Sequence, residues 1–218
     1  MTAEFWQPVF LSLQVAVISS VIVFAAGLLL ARRRAREHGK ASVLLETFYL
    51  LPLVLPPSVT GFLLIVIFGR NSPVGQGIEW IFNQPVMFTW WAAVIASAVV
   101  AFPLMYQSAK TGFEAIDKDI EDAARVDGAD EKTVFRKISL PLAGKAIMAG
   151  GILSFARALG EFGATLMFAG NIPGKTQTIP TAVYVAIDSG EMAMAWMWVG
   201  TMVAISFIML LLVHFIRK

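Results

Sequence analysis

The chain has 218 residues, of which 57% are hydrophobic and only 15% are charged, and its mean hydropathy is +0.72. A soluble domain typically carries about 25% charged residues. The composition therefore excludes an ordinary soluble domain and indicates an integral membrane protein. The chain contains no cysteine, which excludes disulfide bonds, thiolate metal sites and cysteine nucleophiles.

Five apolar stretches are long enough to cross a bilayer as helices, since a crossing needs about 20 residues. In chain order they cover residues 9–31, 47–68, 86–109, 146–170 and 192–216. The second stretch contains Pro52, Pro56 and Pro57, which predict a kinked helix whose irregular backbone faces protein or a cavity rather than lipid. The fourth contains two charged residues, Arg157 and Glu161.

A sixth apolar stretch, residues 176–187, is too short to cross the membrane. We interpret it as a re-entrant helix or a helix on the extracytoplasmic surface. The predicted fold is therefore an all-α integral membrane protein with about five transmembrane helices and one short re-entrant or periplasmic helix. These elements form a single transmembrane domain over residues 1–218.

Lysine and arginine are distributed unevenly among the segments that join these stretches. Residues 32–46 hold five of them, residues 110–145 hold seven, and the tail after residue 216 holds two. The alternate segments hold only Arg70 and Lys175. The positive-inside rule places the fourteen in the cytoplasm, so we expect the N-terminus outside and the C-terminus inside. Topology thus accounts for the basic pI of about 9.0, and no nucleic-acid partner is predicted.

The segment 110–145 is the longest polar segment, and its sequence predicts two short helices. Either Asp117 or Asp119 can cap the first helix, and Gly128 can end it. Asp130 can cap the second. One interpretation of the first helix is an amphipathic helix that lies on the membrane surface. The small residues on it are equally compatible with another, the close approach of a second backbone.

Several residues of this segment form a spaced pattern. It consists of Asp122-Ala123-Ala124, Gly128 after three residues, Ile138 after nine more, and then, after one residue, Leu140-Pro141. This pattern resembles the EAA loop of the permease subunits of ABC importers, EAA-x3-G-x9-I-x-L-P, with Asp122 in place of the glutamate. The residues that the resemblance assigns to ATPase coupling are Asp122, Ala123, Ala124, Gly128, Ala129, Ile138, Leu140 and Pro141.

In that family the loop forms a coupling helix that sits in a groove of the ATPase subunit and transmits its closure to the membrane helices. The resemblance implies the fold of a type I ABC importer permease, in a cell membrane of a bacterium or archaeon. It also implies a homodimer of permease subunits, two cytoplasmic ATP-binding subunits and an extracytoplasmic oxyanion-binding protein. ATP and magnesium would be bound by the partner ATPase, so no cofactor is expected in this chain.

Three further segments resemble molybdate permeases: residues 50–57, 156–164 and 171–180. The Gly-Glu-Phe-Gly-Ala part of the second is shared with sulfate and thiosulfate permeases, which usually carry an additional N-terminal span. The short chain and the Asn-Ile-Pro-Gly sequence in 171–180 favour molybdate, with tungstate as a close analogue. A sulfate or thiosulfate importer is the alternative.

Candidate pathway residues lie in the second and fourth stretches: Pro56, Pro57, Ser58, Arg157 and Glu161. Arg157 and Glu161 are four residues apart, so they share one helix face and can form an ion pair. An unpaired charge at this depth costs about 2.5–3.5 kcal/mol on insertion scales. Two interpretations remain open, a structural pair that braces the bundle and a charge on the translocation pathway.

No catalytic residues and no metal site are predicted. Residues 170–176 read Gly-x-x-x-Gly-Lys-Thr, whereas an ATP-binding P-loop has four residues between its glycines and follows a buried strand. An enzyme embedded in the membrane would need polar catalytic groups within the spans, and only Arg157 and Glu161 qualify. A structural membrane tether would not need the EAA spacing. We therefore predict a transport subunit and not an enzyme.

Overall fold

The computed structural model describes residues 3–37 and 39–217. In these residues the chain forms helices and no strand. The helices are α1 (Ala3–Arg34), α2 (Lys40–Val54), α3 (Pro57–Phe68), α4 (Pro73–Phe82), α5 (Trp90–Glu114), α6 (Lys118–Val126), α7 (Glu131–Val134), α8 (Leu140–Leu142), α9 (Gly144–Leu159), α10 (Gly163–Ala169), α11 (Ile179–Asp188) and α12 (Met192–Arg217). A π-helical segment, Phe135–Ser139, joins α7 to α8.

Among the described residues, three helices are individually long and apolar enough to cross a membrane: α1, α5 and α12. Two bent pairs pass the same test, α2 with α3, and the run Glu131–Leu142 with α9. Counting each pair as one span gives five. The all-helical fold and the approximate number of spans predicted from the sequence are therefore confirmed.

The centre of the bundle is built from α1, α5 and α9. Leu11 shares one buried cluster with Ala92, and Ala35 shares another with Phe113, so α1 and α5 run in the same direction. A Cβ atom on Gly27 of α1 would lie 2.8 Å from Met105 Cγ of α5, which shows how closely the two backbones approach. Small residues at such contacts are typical of packed membrane helices.

The helix ends gather into two opposite faces of the bundle. On one face, Trp198 Nε1 donates a hydrogen bond to Phe5 O at 3.0 Å, and Ile179 N donates to Ser12 Oγ at 2.7 Å. These bonds attach α11 and the start of α12 to the start of α1. The opposite face carries the end of α1, the end of α5, and the segment from α6 to α8. If each bent pair is counted as one span, the described residues make five crossings between these two faces.

The second span is broken rather than kinked, which differs from the sequence prediction. Helices α2 and α3 meet at 118° across Leu55 and Pro56, whose ψ angles are 139° and 140°. A residue before proline is driven into extended backbone by the proline ring, and two prolines in succession impose this twice. Because Lys110 near the end of α5 pairs with Glu46 of α2, this half lies at the face of the α6–α8 segment.

The fourth span also differs from the continuous stretch 146–170 that the sequence predicts. Helix α9 ends at Leu159 and α10 begins at Gly163, with Gly160 closing the first helix. Glycine has a low helix propensity, which weakens the helix at this position. Other boundaries also shift. Helix α1 covers Ala3–Arg34 instead of 9–31, and α2 begins at residue 40 instead of 47. Helix α5 covers Trp90–Glu114 instead of 86–109, and α11 occupies 179–188 instead of 176–187.

Large apolar side chains cover much of the outer surface. Val54 of α2, Phe62 of α3, and Trp196 and Phe207 of α12 are 82%, 56%, 70% and 63% exposed. A soluble monomer rarely exposes so much contiguous apolar surface. These faces are therefore suited to lipid tails or to another membrane helix.

Candidate coupling helix and intramembrane ion pair

Helix α6 has the terminal residues that the sequence predicts. Asp117, rather than Asp119, is the N-cap, and its Oδ1 accepts a hydrogen bond from Asp119 N at 3.0 Å. Gly128 follows the helix with φ +89°, a left-handed conformation that other residues rarely adopt. Asp130 caps α7 by accepting from Thr133 N at 3.0 Å, and its hydrogen bonds with Thr133 hold the pKa of Asp130 below its usual range.

An apolar stripe lies on the exposed side of α6. Ile120, Ala123 and Val126 follow one another at intervals of three residues, so they share a helix face. Ile120 is 48% exposed and Val126 is 87% exposed. Ile120 and Val126 were not predicted as site residues, although their spacing around Ala123 was the signal that could have found them. The stripe is an exposed apolar surface on a helix that is otherwise rich in charge.

The residues of the EAA pattern do not lie on one surface. Asp122, Ala123, Gly128 and Pro141 are exposed, whereas Ala124, Ala129, Ile138 and Leu140 are partly buried. The second half of the pattern forms the π-helical segment and α8, which precede the 69° bend into α9. The pattern therefore describes an exposed helix and a bend. Their assignment to ATPase coupling stays a prediction.

Arg125 fastens α6 to α7. Its Nε lies 2.6 Å from Glu131 Oε1 and its Nη2 lies 3.2 Å from Glu131 Oε2, which is a bidentate pair. Asp122 also pairs with Arg125. The hydrogen bonds to Glu131 and Asp122 raise the pKa of Arg125 above its usual range. Bidentate arginine–carboxylate pairs fix orientation as well as distance, so α6 and α7 form one unit.

Arg157 and Glu161 lie on either side of the break in the fourth span. Arg157 Nη1 is 2.7 Å from Glu161 Oε2, and Glu161 Oε1 accepts a hydrogen bond from Ala164 N at 2.8 Å. Arg157 is in the last turn of α9, where a cation complements the helix dipole. Glu161 precedes α10, where an anion does the same. The side chain of Glu161 is fully buried, and that of Arg157 is 31% exposed.

The two broken spans meet at their breaks. A Cβ atom on Gly163 would lie 2.8 Å from Pro57 Cβ and 3.5 Å from Ser58 N. Gly61 is equally close to α10, since its Cβ would lie 3.0 Å from Ala164 Cα. Pro56, Pro57 and Ser58 themselves are exposed. The structure thus brings the start of α3 to the start of α10, next to Glu161, while the pathway role of these residues stays a prediction.

The packing role of the two glycines at this contact was not predicted from the sequence. Gly61 and Gly163 lie 102 positions apart, in two different spans. Each is one of several glycines in apolar surroundings, so the sequence offers no signal that each packs against the other span. Only the packing of α3 on α10 distinguishes them.

Residues 23–218 match the family described as "Binding-protein-dependent transport system inner membrane component". The chain belongs to this family. It is 62% identical over 212 residues to the "Putative molybdenum transport system permease protein YvgM" of Bacillus subtilis, covering 97% of this chain and 93% of that protein. It is 42% identical over 184 residues to the "Molybdenum transport system permease protein ModB" of Escherichia coli, covering 84% of this chain and 80% of that protein.

Two solved structures share the fold of this family member. One is a bacterial ABC transporter involved in the import of alginate, with a TM-score of 0.77 at 15% identity, covering all of this chain and 80% of that chain. The other is the inward-facing MetNI methionine ABC transporter, with a TM-score of 0.75 at 14% identity, covering all of this chain and 98% of that chain. At these identities the likeness concerns the fold alone, which is that of type I ABC importer permeases.

Proposed function

We propose that this chain is the membrane-spanning subunit of an ATP-driven importer of molybdate, with tungstate as a close analogue. The observation that carries the proposal is the 62% identity to a protein named as a molybdenum transport permease, which extends over 97% of this chain. The sulfate alternative has no comparable support.

One copy of this chain supplies about five spans, and we propose that two copies form the pathway. Two ATP-binding subunits dock on the face that carries α6, and this face is cytoplasmic because fourteen of the seventeen basic residues lie in its segments and in the tail. An oxyanion-binding protein delivers its cargo to the opposite face. ATP and magnesium are held by the ATPase subunits, so this chain itself catalyses no reaction.

Helix α6 is the proposed coupling helix. Its exposed apolar stripe offers a surface for the ATPase, while the pair between Arg125 and Glu131 makes α6 and α7 one unit. Closure of the ATPases upon ATP binding then displaces this unit, and the bend before α9 passes the displacement to the fourth span. The prolines and glycines at the two meeting breaks supply backbone that can adjust during such a movement.

Uptake into proteoliposomes tests the proposal. The chain is reconstituted with its ATPase and an oxyanion-binding protein, and radioactive molybdate is supplied outside with ATP enclosed. We expect ATP-dependent uptake that excess tungstate suppresses and excess sulfate leaves intact. Equal suppression by sulfate would refute the molybdate assignment, and uptake that does not depend on ATP would refute the importer.

A further inference from the structure

Glu121 is the buried residue of α6, a helix whose other side chains are exposed or half-buried. Its side chain is 7% exposed. A buried carboxylate is costly unless charges and hydrogen bonds compensate it. Here Oε1 accepts a hydrogen bond from Ser139 Oγ at 2.7 Å, and Oε2 forms an ion pair with Arg36 and lies 3.6 Å from Arg125 Nη2.

The partners of Glu121 come from separate parts of the chain. Arg36 follows the end of α1, and Ser139 is the last residue of the π-helical segment that leads to α8 and α9. A single carboxylate therefore joins the first span, the helix α6 and the start of the fourth span. Arg125 adds an intrahelical contact, since it is four residues further along α6.

A second contact links the end of α1 to the same region. The guanidinium of Arg32 lies 3.7 Å from the centre of the Phe135 ring, in the π-helical segment. Nη2 of Arg32 also donates a hydrogen bond of 3.4 Å to Glu131 O. Arg32, in the last turn of α1, therefore contacts the π-helical segment and α7, and Arg36, just after α1, pairs with Glu121 of α6. From the sequence, Arg32 and Arg36 are accounted for only by the positive-inside rule. The structure shows the specific partner of each.

We propose that Glu121 is a positioning residue for energy coupling. Its carboxylate makes α6, the end of α1 and the π-helical segment move as one unit, so that displacement of α6 reaches two spans at once. This inference rests on the proposed function of α6 as the coupling helix. Glu121 faces inward, on the side opposite the apolar stripe, and so its role is distinct from contact with the ATPase.

If the contacts of Glu121 with Arg36 and Ser139 are lost, α6 still remains attached to α7. The pair between Arg125 and Glu131 would still bind α6 to α7, and the backbone turns at both ends of α6 would remain. The ATPase could therefore still dock and still displace α6. The displacement would then reach α1 only through the contacts of Arg32 with Phe135 and Glu131 O, and so ATP hydrolysis would continue while transport fell.

The variant Glu121→Gln tests this separation. Glutamine keeps the size of the side chain and an oxygen for Ser139, but it removes the charge that pairs with Arg36. In the reconstituted importer we expect the number of molybdate ions imported per ATP hydrolysed to fall roughly tenfold, within the usual range of coupling between sites. Assembly with the ATPase, measured by co-purification, and ATP hydrolysis should persist.

The matched control is Glu37→Gln. Glu37 is an exposed carboxylate next to Arg36 in the chain, and it pairs with Arg34 instead. Like Glu121→Gln, this variant removes one negative charge from the face of the protein that carries α6. We expect the ratio of import to hydrolysis to stay at the wild-type value. A loss equal to that of Glu121→Gln would attribute the effect to net charge and overturn the proposal.

A double-mutant cycle with Arg36→Gln gives a second test. If the two side chains act as one link, the double variant loses no more coupling than either single variant. Losses that multiply would mean that the residues act independently, which contradicts the inference. Should Glu121→Gln fail to assemble, Ser139→Ala leaves the carboxylate in place and removes its hydrogen bond from Ser139, together with the longer contact of Ser139 Oγ with Val134 O. It is expected to lower the ratio in the same direction, and an unchanged ratio would refute the link.

Hydrogen exchange separates this inference from the proposed function. In the assembled complex, Glu121→Gln should speed amide exchange across residues 118–126 and 135–139 relative to Glu37→Gln. This comparison is informative whatever the transported anion is. A wild-type complex that does not import molybdate would refute the function alone, whereas unchanged exchange in both segments would refute the link alone.

Discussion

Replacement of Glu161 probes the charged pair at the break in the fourth span. In Glu161→Gln the side-chain oxygen can still accept from Ala164 N, but the charge facing Arg157 is lost. Breaking a fully buried pair costs about 3–5 kcal/mol, and because Arg157 is 31% exposed we expect about 2 kcal/mol here. Glu161→Ala also removes the cap of α10, which adds about 1 kcal/mol.

The free energy of unfolding can be measured by titrating the purified chain from mild detergent into dodecyl sulfate and following tryptophan fluorescence. The double variant Arg157→Gln/Glu161→Gln carries no unpaired charge, so it should return to within about 1 kcal/mol of the wild type. The reasoning fails if Glu161→Gln changes the free energy by less than about 0.5 kcal/mol, or if the double variant equals the sum of the two single ones.

The same double variant decides between the two interpretations of this pair. If it is stable and imports molybdate at the wild-type rate, the pair is a structural brace. If it is stable but imports poorly, a charge at this position serves the pathway. Stability and uptake must therefore be measured on the same preparation.

Two further predictions concern the packing contact at Gly163 and the exposed apolar stripe of α6. Gly163→Ala places a Cβ 2.8 Å from the ring of Pro57 and should lower the free energy of unfolding by about 1–3 kcal/mol. Gly144→Ala, where nothing lies within 4 Å, is the control, and equal effects would contradict the contact. Ala123→Trp enlarges the apolar stripe of α6 without touching the core, so it should abolish co-purification of the ATPase while thermal unfolding stays unchanged. Ala115→Trp, at an exposed alanine outside the EAA pattern, should leave co-purification intact; retention of the ATPase by both variants would exclude docking on the stripe.

Local features of the sequence were sufficient for the helical class, the approximate number of spans and the family. Uncharged stretches of about 20 residues specify membrane helices because the bilayer itself selects for length and apolarity. The caps at Asp117 and Asp130 were likewise predictable, since a cap depends on residues within one turn. The EAA pattern was readable for the same reason, as a fixed local spacing.

The breaks in the second and fourth spans were only partly predictable. Pro56 and Pro57 predicted an irregular backbone. The 118° angle between α2 and α3, however, depends on the packing of α3 against α10. The sequence placed the charge of Glu161 within a membrane span, and the four-residue spacing from Arg157 predicted the ion pair between them. That Glu161 also caps a separate helix required the break after Leu159, which the apolar pattern does not reveal.

The sequence by itself therefore determined the membrane class, the charged face and the family, because hydropathy and charge act through the solvent and need no knowledge of neighbours. The tertiary structure alone decided which residues meet. In the sequence, nothing distinguishes Glu121 from the neighbouring acidic residues such as Asp122. Only the fold places Arg36 and Ser139 in contact with its carboxylate. Such contacts join positions 85 and 18 residues away, and only packing of the spans brings them within hydrogen-bonding distance.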